Sequence, residues 1–362
     1  MNFKFSQVCL EAVGYTLPAE VWTSADIEDR LLPLYERLKL PAGRLELMTG
    51  IAERGFWPMG VLPSVLSAAS CQRAMEIAQV DPQRVGCLLH GSVCRDFLEP
   101  ATACAVHHQL GLRQECLVHD VSNACLGLLN GALIAASLIE SNQIDAALVV
   151  GSEGGRQLVE TTINALNADL SLTRKTVKDA FASLTIGSAS CAWLLVHRRI
   201  SRTGNLLLGG TSHADTKWHR LCLSVDDQSA SNFSPLMSTD SQELLVRGVE
   251  TARATFGRFL QNMEWQPSDI HKMVCHQVGS AHQKLMCETL QLDPAIDYST
   301  YPWLGNTGAA ALPITLAVAA ERGHLQAGDQ VGLFGIGSGI NCLMLGCLWQ
   351  KSLISGGVWS GD

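Results

Sequence analysis

The sequence predicts an α/β protein made of two copies of one α/β half, with buried sheets and two buried central helices. Three observations predict it: short apolar runs alternate with helical patterns, the runs lack period-two polarity, and three segments recur in the same order about 185 residues apart. Alternating strands and helices imply helices covering a sheet, and apolar runs without alternation imply strands buried on both faces. The 362 residues, 47% hydrophobic and 17% charged with mean hydropathy +0.15, exclude a largely disordered chain. That length suits two modest domains or one large unit. A formal net charge of −8 argues against a nucleic-acid binder, which needs a basic stripe to match phosphate.

Along the chain, the strand-like runs are Val85–Leu89, Cys116–Val118, Ala146–Val150, Ala192–Val196, Met273–Cys275 and Gln330–Phe334, and the first fifteen residues read as one further strand. Helical patterns cover Ala68–Gln79, Gly127–Glu140, Gln242–Gln261 and Pro313–Arg322. In the repeat, Asp81–His90 parallels Gln266–Cys275, each with a Pro opening a turn before an apolar strand. Asn123-Ala124-Cys125 and its small-residue helix parallel Gly305-Asn306-Thr307-Gly308 and a second such helix. Ile144–Gly151 parallels Ala327–Gly335. The prolines lie 185 residues apart and the closing glycines 184, so the halves meet near residue 200: residues 1–200 form an N-terminal half and 201–362 a C-terminal half. The two Gly- and Ala-rich helices carry few bulky side chains and belong in the centre. The polar stretch Asp226–Asp240 reads as a surface loop, and the end after Trp349 reads as a flexible tail.

No stretch reaches the roughly 18 apolar residues needed to span a bilayer, and the N-terminus lacks a signal-peptide pattern, so a soluble, cytoplasmic protein is expected. In that compartment the 13 scattered cysteines are expected as free thiols, mostly small core residues. No C-x-x-C pair supports a zinc or redox site, and the His107-His108 and His213/His219 pairs lack a third ligand; no metal is expected. Gly335-Ile336-Gly337-Ser338-Gly339 lacks the third glycine and the later acid of a dinucleotide loop, and a turn aiming N–H groups at an oxyanion is the better reading.

Three segments carry chemistry. Cys125 stands where the first central helix begins, and a helix N-terminus favours a thiolate over a thiol; taken alone it reads as one more core cysteine. His276 ends an apolar strand at the edge where α/β sites gather. Asn306 starts the second central helix, where an N-cap is its plainest role. The repeat brings these positions together, giving a nucleophile with two hydrogen-bond donors.

With Cys125, the His276-Gln277 pair and Gly305-Asn306-Thr307 in this order and spacing, the chain resembles thiolase-fold condensing enzymes of the ketoacyl synthase III type. Ser92–Ala103, Asn123-Ala124-Cys125-Leu126 and Gly335–Cys342 resemble the OleA branch, which joins two acyl-CoAs head to head without decarboxylation. The resemblance spans the chain to about Trp349. It implies a thiolase-like αβαβα layering, a homodimer, and Glu99 as a base reaching into the partner's site. It also implies CoA, or the phosphopantetheine of an acyl carrier protein, as substrate carrier with no permanently bound cofactor, and a place beside downstream enzymes of lipid or hydrocarbon biosynthesis. Gly337, Ser338 and Gly339 are expected to form the oxyanion loop. Gly308 departs from the family, which usually has Ser there, and Asp226–Asp240 matches poorly. Three other readings remain open at this point: a 3-oxoacyl-ACP synthase III that decarboxylates malonyl-ACP, a thioesterase-like hydrolase, and an acyl-CoA binding protein.

Overall fold

The structure, a computed structural model, describes residues 1–225, 236–276 and 278–361. Eleven strands form one sheet: β1 Asn2–Lys4, β2 Val8–Leu17, β3 Val85–His90, β4 Leu117–Asp120, β5 Ala146–Glu153, β6 Ala189–His197, β7 Leu206–Ala214, β8 Lys272–Cys275, β9 Gln330–Gly337, β10 Asn341–Leu348 and β11 Ile354–Val358. Six longer helices pack on it: α1 Pro63–Ala78, α2 Thr102–Leu110, α3 Gly127–Glu140, α4 Ser241–Met263, α5 Ser280–Leu290 and α6 Ala311–Glu321.

The strand order is β8-β9-β10-β7-β2-β6-β5-β3-β4. Read from the middle outwards, the two sides repeat one topology. In the first half β3 and β5 are parallel, and β5/β6 and β6/β2 antiparallel. In the second, β8 and β9 are parallel, and β9/β10 and β10/β7 antiparallel. β4 is an addition at the edge of the first half.

Successive strand residues face opposite sides, and here both sides are apolar. Leu88, Leu148 and Leu194 face α1 and α2, where Cys71, Ala74 and Val106 meet them. Leu89, Val149 and Trp193 face inward to Leu128, Ala132 and Ala135 of α3 and to Ile314, Leu316 and Ala317 of α6. Leu333 and Leu345 close the same inner core from the other half. Phe334 and Met344 face outward to Phe256 and Phe259 of α4 and Met286 of α5. The result is five layers, αβαβα. Each of the ten residues Ala311–Ala320 is buried, as expected for a helix apolar all round. A satellite core sets Ile27 and Leu34, from two short helices, against Val159, Ile163 and Leu166 of Arg156–Ala168.

Several expectations change. The N-terminal strand is two strands, and β1 crosses to pair with β7 of the other half. The tail is not a loose end: β11 runs parallel to Val13–Leu17, the Trp359 N–H donates to Leu17 O at 2.9 Å, and Trp57 and Trp359 meet edge to face. The reason is an open edge. On the side away from β6, β2 pairs with β7 only at Cys9, so Val13–Leu17 would expose unpaired backbone without β11. In the expected loop Asp226–Asp240, Leu236–Thr239 is a strand paired with Cys222–Val225, and Asp240 caps α4; residues 226–235 lie outside the described residues. None of the 13 cysteines is in a disulfide, and eight are buried. Among the described residues no helix is long and apolar enough to cross a membrane.

Candidate active site

The site forms where the two halves present their helix openings to each other. Each central helix is entered through a tight 3-10 turn, Ala124–Leu126 before α3 and Gly308–Ala310 before α6, and the two turns pack together. Cys125 is the middle residue of the first and is partly buried. Ala124 just before it has φ 45°, a left-handed conformation that costs a residue with a Cβ about 1–2 kcal/mol. Such strain persists where the surroundings over-determine it. Here the Asn123 side chain donates to Asn130 Oδ1 at 2.6 Å and accepts from Asn341 Nδ2 at 2.9 Å, which ties the Cys125 turn to the start of β10.

The end of β9 abuts the same turn. A Cβ added at Gly337 would stand 3.5 Å from the Cys125 nitrogen and 3.3 Å from Leu126 Cγ. Any side chain at this position would crowd the Cys125 turn, and the loop carrying Ser338 and Gly339 follows directly from it. Backbone N–H groups of such a turn and loop are the kind of donor an oxyanion hole uses.

His276 follows β8 directly, and its N–H donates to Phe334 O at 3.0 Å, so it borders the strand whose far end meets Cys125. Its ring is buried, and among the described residues Nδ1 has no hydrogen-bond partner. Burial, helped by the neighbouring His282, lowers its pKa to about 3. The ring is a neutral imidazole across the physiological range, able to donate one proton and not to act as a cation. Gln277 lies outside the described residues.

Asn306 sits two residues before the second turn. Its backbone is held from both sides by Thr185 O and the Gly187 N–H, each at 2.9 Å. Its side-chain oxygen accepts from the Gly308 N–H at 3.1 Å, which leaves the NH2 end as the donor. It therefore caps the 3-10 turn and not the helix proper, which starts at Ala311.

The expected thiolate at Cys125 is corrected. Burial, and next the Glu153 carboxylate, push the thiol up to about 12. Desolvation of the charged form outweighs the partial charge of the helix start, and a nearby negative charge adds to it. The Cys125 side chain therefore rests as a thiol.

Glu153, the last residue of β5, went unnoticed in the sequence. It is buried, and burial raises its pKa. Its carboxylate accepts the N–H groups of Val93 at 3.0 Å, Cys94 at 3.2 Å and Ala309 at 3.1 Å. This explains the departure at Gly308. Its φ of 55° favours glycine, and a Cβ there would lie 3.0 Å from the Glu153 carboxyl. The only signal in the sequence is position, since Glu153 stands 184 residues before Gly337 in the repeat.

Glu99 is not brought into this pocket. It lies on an exposed loop with Phe97 and Leu98, which are 57% and 71% exposed, and among the described residues no hydrogen bond or ion pair holds its carboxylate.

Comparison with known proteins covers both halves of the chain. Residues 48–191 match the thiolase N-terminal domain, and residues 260–349 match the C-terminal domain of 3-oxoacyl-[acyl-carrier-protein] synthase III. The chain is 37% identical over 350 residues to an acyl-CoA:acyl-CoA alkyltransferase of Shewanella oneidensis, covering 96% of this chain and all of that one. It is 32% identical over 345 residues to the protein of that name in Xanthomonas campestris, covering 95% and 99%. A cerulenin-bound crystal structure of Xanthomonas OleA superposes with a TM-score of 0.90 at 32% identity, over 96% of this chain and 98% of that one.

Proposed function

This chain belongs to the acyl-CoA:acyl-CoA alkyltransferases, the OleA-type condensing enzymes of the thiolase fold, and on that premise we propose how its residues join two acyl-CoAs head to head. The observation that carries the reading is the packing of the Cys125 turn against the turn that follows Asn306 and against the Gly337 end of β9.

Cys125 attacks the first thioester carbonyl. The Cys125 and Ser338-loop N–H groups, beside Gly337 and Gly339, hold the oxyanion. The thiol proton leaves with the CoA sulfur, and an acyl-enzyme remains. A second acyl-CoA then binds with its carbonyl facing His276 and Asn306, which donate hydrogen bonds as negative charge develops there. Glu99 takes the α-proton, a weakly acidic one that needs base and donors together. The carbanion attacks the acyl-enzyme carbonyl, the carbon–sulfur bond breaks, and the proton on Glu99 returns to Cys125. The products are one β-ketoacyl-CoA and one CoA.

Since Glu99 lies outside its own pocket on a loop with exposed Val93, Phe97 and Leu98, we assign it to the partner's site in a homodimer. Residues 1–200 and 201–362 are proposed as the two halves, the first supplying Cys125 and the second His276 and Asn306. CoA is proposed as the carrier, no cofactor as permanently bound, and the cytoplasm as the location, beside enzymes that consume the β-keto product.

Incubation with a long-chain acyl-CoA, followed by mass analysis, tests the reading. A doubled-chain β-ketoacyl product without added malonyl donor is expected. Free fatty acid as the sole product means hydrolysis, intact bound acyl-CoA with neither acyl-enzyme nor product means a binding protein, and a strict need for a malonyl donor means the decarboxylating route; each overturns it.

A further inference from the structure

We propose that Glu153 is a positioning residue for the condensation half of the reaction: its carboxylate fastens the root of the Glu99 loop and the opening of α6 to one point beside Cys125. The proposal rests on the reading of Glu99 as the α-proton base.

The loop leaves β3 at Gly91 and is anchored in succession to the last residues of β5. The Gly91 N–H donates to Val150 O at 2.7 Å, and Ser92 Oγ accepts from the Ser152 N–H at 2.7 Å. The N–H groups of Val93 and Cys94 then converge on Glu153. One more anchor follows, Asp96, which accepts from the Ser64 N–H at 2.9 Å. Beyond it Phe97, Leu98 and Glu99 are exposed. Glu153 and Asp96 therefore fix where, and in which direction, the base-bearing segment leaves the body of the protein.

The same carboxylate takes the Ala309 N–H, three residues after Asn306. It thus sets the loop and the donor turn in one frame. Only a carboxylate offers acceptors on both oxygens for N–H groups arriving from different segments. A buried acid costs stability that an apolar side chain would not, and Gly308 is kept free of a Cβ where that acid stands. Packing alone does not call for either residue.

The test separates the half-reactions in Glu153→Gln, which keeps the size but turns one acceptor into a donor. Acylation of Cys125 is read by intact mass in a single turnover, and condensation by product formed per time. Acylation is expected within about threefold of wild type, with condensation reduced at least about tenfold. Added to Glu99→Gln, Glu153→Gln should lower condensation by less than about twofold further, because both act on one step. Equal loss of both half-reactions marks a structural role only and overturns the proposal, as does condensation within about threefold of wild type or a multiplied loss in the double variant. Should Glu153→Gln fail to fold, Glu153→Asp keeps the charge but is one methylene too short to span all three N–H groups. It is expected to show the same split, and wild-type condensation in it overturns the proposal. Wild-type protein that makes no doubled-chain product overturns the activity itself, whereas product from both wild type and variant overturns the positioning role alone.

Discussion

The turns Ala124–Leu126 and Gly308–Ala310 occupy equivalent places 184 residues apart, and each opens on a left-handed residue, with φ of 45° and 55°. What faces them differs. The first carries Cys125 and meets the end of β9 at Gly337, where no side chain stands. The second carries Ala309 and meets the end of β5 at Glu153, whose carboxylate takes the Ala309 N–H. Duplication thus supplied two like turns, each against the other half's strand end. One carries a thiol and faces a strand end without a side chain. The other is filled by an acid and serves as a support. Two copies of one scaffold yield one reaction centre because a Gly and a Glu exchange places at the strand ends.

The largest expected effect comes from emptying the open turn. Cys125→Ala should abolish both acyl-enzyme and product, read by intact mass and product analysis; a covalent adduct that persists removes the nucleophile assignment. Next is Glu99→Gln, which should leave acylation intact and slow condensation by about 10²–10⁴-fold, the range for loss of a general base. Mixed dimers of the Cys125→Ala and Glu99→Gln chains sharpen the comparison. In such a dimer one site joins an intact Cys125 to the partner's intact Glu99, so activity should reappear. Mixed dimers as inactive as the parents place Glu99 in its own subunit or outside the reaction.

How much of this was legible follows from what each residue type does at its place. Cys125, His276 and Asn306 end or begin repeated elements, so the repeat alone predicts that they converge. β10 and the short helices around Ile27 and Leu34 pass unread, because seven-residue helices give too few turns for periodicity to register. β11 contains Gly356 and Gly357 and has little strand propensity of its own; the open edge of β2 makes it a strand. Glu153 was illegible for a related reason. An acid after an apolar strand reads as a solvated turn residue, and only the convergence of three N–H groups from residues 93, 94 and 309 marks it as buried. The thiolate expectation failed on the same ground, since desolvation is a property of the surroundings.

Filling the open turn is the third test. Gly337→Ala places a methyl 3.5 Å from the Cys125 nitrogen, a contact the fold tolerates but an oxyanion would have to share. Acylation is expected to fall about 10–10²-fold, toward the loss seen when one oxyanion donor is removed, with thermal stability nearly unchanged. Unchanged acylation would move the oxyanion hole elsewhere. A smaller effect tests the thiol itself. With the Cys125 pKa pushed up to about 12, the thiolate fraction rises about tenfold for each pH unit below that value. Iodoacetamide labelling of Cys125, resolved by peptide mass, should therefore climb about tenfold per unit from pH 7 to 9 without a plateau. A plateau near pH 8 would show a resting thiolate and restore the helix start as the dominant influence.

The smallest effects come from exchanging the left-handed residues themselves. At Ala124 the Cβ carries the cost of the left-handed conformation, so Ala124→Gly removes about 1 kcal/mol of strain, offset in part by the greater freedom of Gly in the unfolded chain. Its melting temperature should stay level or rise by about 1 °C, and acylation should change by less than about twofold. At Gly308 the same φ acquires a Cβ 3.0 Å from the Glu153 carboxyl, so Gly308→Ala carries the strain and a crowded buried acid together. It should melt about 1–3 °C lower and lose condensation more than acylation, because the displaced carboxylate also holds Val93 and Cys94. If the two exchanges shift stability equally and opposite, with both half-reactions untouched, the turns differ in backbone strain alone and the supporting role of the filled turn is lost.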